Sequence, residues 1–184
     1  MTDKMKRILI FITLAFVTGV AFGTNCDPAG SVAASPTTIT INTNTIATVT
    51  LLNLGTDPNC TIPIGGLRGV LSLSPAVEFV EIVVPVGGFQ YFTVTYDPEE
   101  HVVIMQNFAP VPNVIYGGSE QIDIKVKGIV LGLTQLIFNI ENPLGIDNEP
   151  SNDNNTTVID IIAPLPIKLG TFSTKVNDCS AVDI

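Results

Sequence analysis

The sequence predicts an all-β chain, folded as an antiparallel sandwich of about seven to nine strands behind a short signal-peptide helix. Three observations carry that expectation: apolar and polar residues alternate with a period of two in several segments, turn residues punctuate them, and helical periodicity is almost absent. The N-terminus sets the compartment. Lys4, Lys6 and Arg7 form a basic start, residues 8–20 (ILIFITLAFVTGV) an uncharged apolar run, and Ala21-Phe22-Gly23 a small-x-small exit, which is how a secretory signal peptide is built. The run is shorter than the roughly 18 residues of a spanning helix, so the chain is expected to be exported, to the periplasm, the cell surface or beyond. It would touch the membrane only through an uncleaved signal segment.

The body is expected to form strands over residues 37–42 (TTITIN) and 46–54 (IATVTLLNL), paired across Thr43-Asn44-Thr45, then over 70–73 and 77–84. Residues 90–96 (QYFTVTY) point Phe92, Val94 and Tyr96 inward. The clearest case is 121–127 (QIDIKVK), where Ile122, Ile124 and Val126 alternate with Gln121, Asp123, Lys125 and Lys127, placing one side in a core and the other in water. Residues 134–141 (TQLIFNIE) repeat this with Leu136, Phe138 and Ile140, and 156–162 (TTVIDII) close the set. Gly55-Thr56-Asp57-Pro58, Ser74-Pro75, Gly87-Gly88, Asp97-Pro98, Gly117-Gly118 and Asn142-Pro143 supply positive φ, fixed φ or side-chain capping where strands reverse. Many short strands with regular turns define an immunoglobulin-like (Ig-like) sandwich. The expected organisation is a signal peptide over 1–23, the sandwich over 24–163, and over 164–184 a linker with the truncated start of a second β domain.

Charge excludes one class of partner. The formal net charge is -9, and loss of residues 1–23 removes three positive charges and one negative, leaving -11. Between Thr24 and Ile124 the only cationic side chain is Arg68, so no basic stripe exists to neutralise phosphates, and nucleic acid is not an expected partner.

The three cysteines are Cys26, Cys60 and Cys179. In an oxidising space Cys26 and Cys60 can pair, closing a loop of about 34 residues worth on the order of 3 kcal/mol. The other reading, three unpaired small residues, stays open, because spacing does not show that two sulfurs approach.

Two resemblances add to this. The succession of an NLG turn, a strand ending in LSLSP, the segment GGSEQIDIKVKG and the closing EPSNDNNTTVIDI resembles bacterial surface Ig-like repeats of the CARDB type, over about residues 35–163; it implies an extracellular, non-catalytic module. Residues 163–184 (APLPIKLGTFSTKVNDCSAVDI) are similar to the segment that opens a further β domain in large cargo proteins of the type IX secretion system. That likeness implies a following domain and a sorting sequence, both lacking before Ile184. The Asn-x-Thr sequons at Asn59, Asn154 and Asn155 are expected to be silent in a prokaryote.

Little chemistry is encoded. The only histidine is His101, in DPEEH after a proline turn, which reads as a solvated turn residue, and Glu99-Glu100 are neighbours on extended chain whose side chains diverge. No nucleophile elbow, P-loop or dinucleotide fingerprint is present; the expectation is no enzyme. One oxygen-rich stretch stands out: Asp147, Glu149 and Asp153, within Asp147–Asn155, are candidate ligands for Ca2+, the one cofactor the composition offers, although without EF-hand spacing. Phe89 and Tyr91, beside Gly87-Gly88, are the candidate aromatic patch for a sugar.

Two functions from different classes follow. One is an extracellular spacer or adhesion module acting on a protein or glycan at the cell surface. The alternative is a carbohydrate-binding accessory domain of a larger secreted enzyme.

Overall fold

The computed structural model describes residues 26–147 and 149–166. Its strands in chain order are β1 (Pro28–Ser35), β2 (Thr38–Thr40), β3 (Asn44–Asn53), β4 (Arg68–Ser72), β5 (Val77–Val83), β6 (Phe92–Asp97), β7 (Val102–Asn107), β8 (Ser119–Gly128), β9 (Gly132–Glu141) and β10 (Asn154–Ile162).

Alternation sorts each strand into an inner and an outer side. In β3 the residues Thr45, Ala47, Val49, Leu51 and Asn53 are buried while the intervening ones are half-buried, and β8 does the same with Ile122, Ile124 and Val126. Leu136, Phe138 and Ile140 of β9 face them from the second layer. Each such side chain, taken out of water, contributes about 1.5–3 kcal/mol of transfer free energy.

Two sheets result, one in the order β1-β3-β8-β5 and the other β2-β10-β9-β4-β7-β6. The plan is the constant-type Ig sandwich, with the first, second, fifth and fourth strands of the scheme in one layer (β1, β3, β8, β5) and the third, sixth and seventh in the other (β4, β9, β10). The hairpin β6–β7 is inserted between the fourth and fifth strands and extends the second layer beyond β4.

Three details depart from the sequence expectation. There are ten strands among the described residues rather than seven to nine. The two that pattern missed are β1, whose small residues (PAGSVAAS) have weak strand propensity, and β7, where half-buried Val102 and Ile104 flank buried Val103 and Met105, erasing the alternation. The sheets are also not antiparallel throughout, since the chain crosses from β1 into β2, which runs parallel to β10 (Ile39 beside Ile161), and β2 and β3 lie in different sheets instead of pairing across Thr43-Asn44-Thr45.

The register places the two ends of the domain at opposite poles. Pro28 pairs with Asn53 at the end of β3, whereas Ile161 pairs with Gly132 at the start of β9, next to the end of β8, where Lys127 pairs with Asn44 at the start of β3. The ten residues of β3 thus separate the poles, by about 30 Å at ~3.3 Å per residue.

Candidate functional site

The N-terminal pole gathers the oxygen-rich residues. Cys26 is bonded to Cys60 in a disulfide with Cα atoms 5.4 Å apart, which ties the start of the domain to the β3–β4 connection, and its parallel bridge with Asp147 sets it against the β9–β10 connection. Asp27 follows directly. Its N–H donates to Asn53 Oδ1 (3.3 Å) and its carbonyl accepts from Leu54 N (2.8 Å). Its carboxylate accepts from Asn152 Nδ2 (2.9 Å). Asn152 lies in a one-turn 3-10 segment, Pro150–Asn152, and the carbonyl of the next residue, Asp153, accepts from Ile140 N (2.7 Å).

Three side-chain oxygens here are shut off from solvent without any donor: Asp147 Oδ2, Asn152 Oδ1 and Asp153 Oδ1. A buried acceptor left unpaired costs roughly 1–3 kcal/mol, more when charged. The Asp153 carboxyl is pushed up to about 7, first by burial and then by the charge and hydrogen-bonding proximity of Asp147 and the charge of Asp27. The Asp27 carboxyl is likewise raised, mainly by burial and against the Asn152 hydrogen bond. Two carboxylate oxygens brought together in this way need a proton or a cation between them.

The candidate ligands therefore regroup. Asp147 and Asp153 come together as the sequence suggested, and Asp27 and Asn152 join them from outside the predicted set. Glu149 does not point inward: it is exposed and its carboxylate accepts from Ser151 Oγ (2.6 Å), while its N–H donates to Asp147 Oδ1 (2.8 Å). Among the described residues no three of His, Cys, Asp and Glu converge closely enough to hold a metal, so any ion here would also use the Asn152 amide oxygen and water, which suits hard Ca2+ and not a transition metal. A cavity of about 280 Å³ lies beside the disulfide, lined by Asp57, Asn59, Thr61 and Ile146.

The aromatic candidates have a different fate. Tyr91 is buried, its hydroxyl 3.3 Å from the Gly117 carbonyl and 2.8 Å from Gln90 Nε2, and Phe89 is half-buried against the core. The Tyr91 ring presents no open stacking face, because the Glu120 carboxylate accepts from the successive N–H groups of Gln90, Tyr91 and Phe92 and draws this segment onto the sandwich. His101 sits half-buried in the β6–β7 turn at φ 56°, edge-on to Tyr96 with ring centres 6.1 Å apart. No second titratable side chain pairs with it in a catalytic arrangement among the described residues.

No family model matches the chain, and no curated protein does. Solved structures do. The chain is similar to a cohesin module from a Clostridium perfringens family 33 glycoside hydrolase (9% identity, TM-score 0.53, 76% of this chain and 99% of that one). It is also similar to a CARDB domain from Pyrococcus furiosus (10%, TM-score 0.47, 79% and 96%) and to a type I cohesin of Pseudobacteroides cellulosolvens (10%, TM-score 0.46, 76% and 96%). At such identities the likeness is one of fold. This chain is an Ig-like β-sandwich of the architecture that cohesin modules share. The expected signal peptide, residues 1–23, and residues 167–184 of the segment likened above to type IX cargo lie outside the described residues, and among those described no helix is long and apolar enough to cross a membrane.

Proposed function

We propose that the chain is a non-catalytic extracellular module of a bacterial surface or secreted protein, acting as a spacer or adhesion domain toward a protein or glycan partner. The observation that carries this reading is the placement of Cys26 and Ile162 at opposite poles of the sandwich. A module that receives the chain at one end and releases it about 30 Å away lengthens whatever it joins. The accessory sugar-binding alternative rests on Phe89 and Tyr91 as stacking rings, and the burial of Tyr91 favours the spacer reading over it. The reading is tested by small-angle scattering on a tandem fusion of two copies of the sandwich: the maximum dimension should grow by about one module length, and a side-by-side doublet of unchanged length would overturn it.

The N-terminal pole adds a cation to this reading. Asp147, Asn152 and Asp153, with water, would hold one Ca2+, supported by the three solvent-free oxygens that lack donors, while the Asp27 carboxylate holds the Asn152 amide in place. Affinity in the range of other extracellular modules, about 10⁻⁴–10⁻³ M, should appear in calorimetric titration with CaCl2 at pH 7.5 and vanish in Asp147→Asn. A titration without heat, together with a melting temperature identical in EDTA and in millimolar Ca2+, would remove the ion from the account.

A further inference from the structure

At the C-terminal pole the β8–β9 connection reads Ile129-Val130-Leu131 between Gly128 and Gly132, without one polar side chain. Hairpin connections normally carry Asn, Asp, Ser or Gly, which satisfy the backbone in water. Here the N–H groups of Ile129 and Val130 both donate to the Ala76 carbonyl (2.9 and 3.3 Å), so the connection is fastened to the β4–β5 loop with its apolar side chains outward. Val130 is 53% exposed, Leu131 54%, Leu133 76% and Leu165 85%. Ile162 adjoins them, its carbonyl accepting from Ile41 N at the same pole (2.9 Å). Single exposed leucines are ordinary, whereas a contiguous group of this kind marks a surface that something covers.

The course of the chain says what that is. Leu133 lies opposite Asp160, and the chain runs on from Ile162 through Ala163-Pro164-Leu165-Pro166. A proline-rich tether of four residues spans about 12 Å at ~3.1 Å per residue, so the chain leaves Pro166 within about that distance of Ile162. Residues 167–184 include Ile167, Leu169, Phe172 and Val176, and their two lysines balance their two aspartates. A second copy of the mature chain, by contrast, brings another formal charge of -11 to an equally charged molecule, an association that like-charge repulsion opposes.

We propose that the C-terminal pole, centred on Val130, Leu131 and Leu133, is the docking surface for the chain's own continuation, residues 167–184. This inference stands on the register and the exposed side chains, and it survives if the spacer role fails.

The test uses the full mature chain and its Leu131→Asp/Leu133→Asp variant. Both substitutions lie at exposed positions, and circular dichroism with an unchanged melting transition confirms that the sandwich is intact. Trypsin cleavage after Lys168 is then followed in each under native conditions. The expected result is cleavage at least about tenfold faster in the variant, because the segment has lost its seat. Equal rates would overturn the proposal. Sedimentation equilibrium on the same pair supplies a second readout: a concentration-dependent dimer of the wild-type chain that the variant dissolves assigns the pole to a second copy and equally overturns it.

Discussion

Gly30 and Phe138 share one volume between the two sheets: a Cβ built at Gly30 would lie 2.5 Å from Phe138 Cε1 and 2.9 Å from the Thr50 carbonyl oxygen. On the other side of the ring, a Cβ at Gly69 would lie 2.9 Å from Phe138 Cε2, 3.0 Å from its Cζ and 3.2 Å from Leu51 Cδ2, all side-chain atoms. The largest aromatic of β9 therefore fits only because β1 and β4 each carry a glycine where they face it. Adding a methyl to a core this tight costs about 1–3 kcal/mol. Gly30→Ala and Gly69→Ala should each lower the urea midpoint accordingly. In a Phe138→Leu background the Gly69→Ala penalty should largely disappear, while that of Gly30→Ala should persist in part through the Thr50 carbonyl. Equal penalties in both backgrounds would show that the ring is not the obstacle.

Three buried asparagines do for the loops what the apolar residues do for the strands. Asn107, 1% exposed, accepts from Leu67 N (2.9 Å) and donates to the carbonyls of Pro63 (2.8 Å) and Ala109 (3.0 Å). Asn53 donates to Cys60 and Val111, and Asn113 donates to the Gly55 carbonyl. Truncation of Asn107 strands the Leu67 N–H and the Ala109 carbonyl, whereas the Pro63 carbonyl keeps the Gly66 N–H, so Asn107→Ala should destabilise by about 2–4 kcal/mol. Asn107→Asp keeps the acceptor toward Leu67 but loses both donors and adds a charge. It should be no better at neutral pH, and denaturant titration of the two variants checks the order.

Legibility in the sequence followed the range of the interactions. The strands β8 and β9 were plain because their alternation is written in consecutive residues, and the turns because glycine and proline act locally. β1 was invisible: its residues are small, and Gly30 among them answers Phe138, which lies more than a hundred positions away in the chain. The carboxylate pole was half legible for the same reason. Asp147 and Asp153 are six residues apart and stood out together, while Asp27 reaches them through long-range contacts, the Cys26–Asp147 bridge and the Asn152 hydrogen bond. Asn152 joins through its amide oxygen, a role that composition does not single out. Tyr91 read as a surface aromatic beside Gly87-Gly88 because nothing local announces that Glu120, on another strand, binds three successive N–H groups around it.

The disulfide gives a direct measurement. Cys26 and Cys60 enclose a sequence separation of 34, and constraining such a loop in the unfolded chain stabilises by about 3 kcal/mol. Cys26→Ala/Cys60→Ala should lower the melting temperature by roughly 6–12 °C for a domain of this size, yet leave it folded, since the core lies between the sheets and not at the pole. Intact mass before and after reduction should differ by two hydrogen atoms. The absence of that difference in protein recovered from an oxidising compartment would show the sulfurs unbonded.

The cation and the proton compete for one place at the N-terminal pole, and their competition fixes a pH dependence whose sign can be worked out. Asp153 has a folded value of about 7, above its ordinary 3.8, so the fold favours its protonated form. The corresponding stability is fully present below about pH 4 and is lost as pH rises through about 7. In EDTA, the melting temperature should therefore fall between pH 5 and 8. Millimolar Ca2+ should restore it at pH 8 and do little at pH 5, where the proton already lies between the oxygens of Asp147 and Asp153. Asp153→Asn replaces that proton permanently, because its amide Nδ2 can donate to Asp147 Oδ2. The variant should melt higher than the wild type at pH 8 in EDTA, show a flatter pH profile and no longer respond to Ca2+. Parallel profiles for the two proteins would mean that the Asp147–Asp153 contact does not govern this pole.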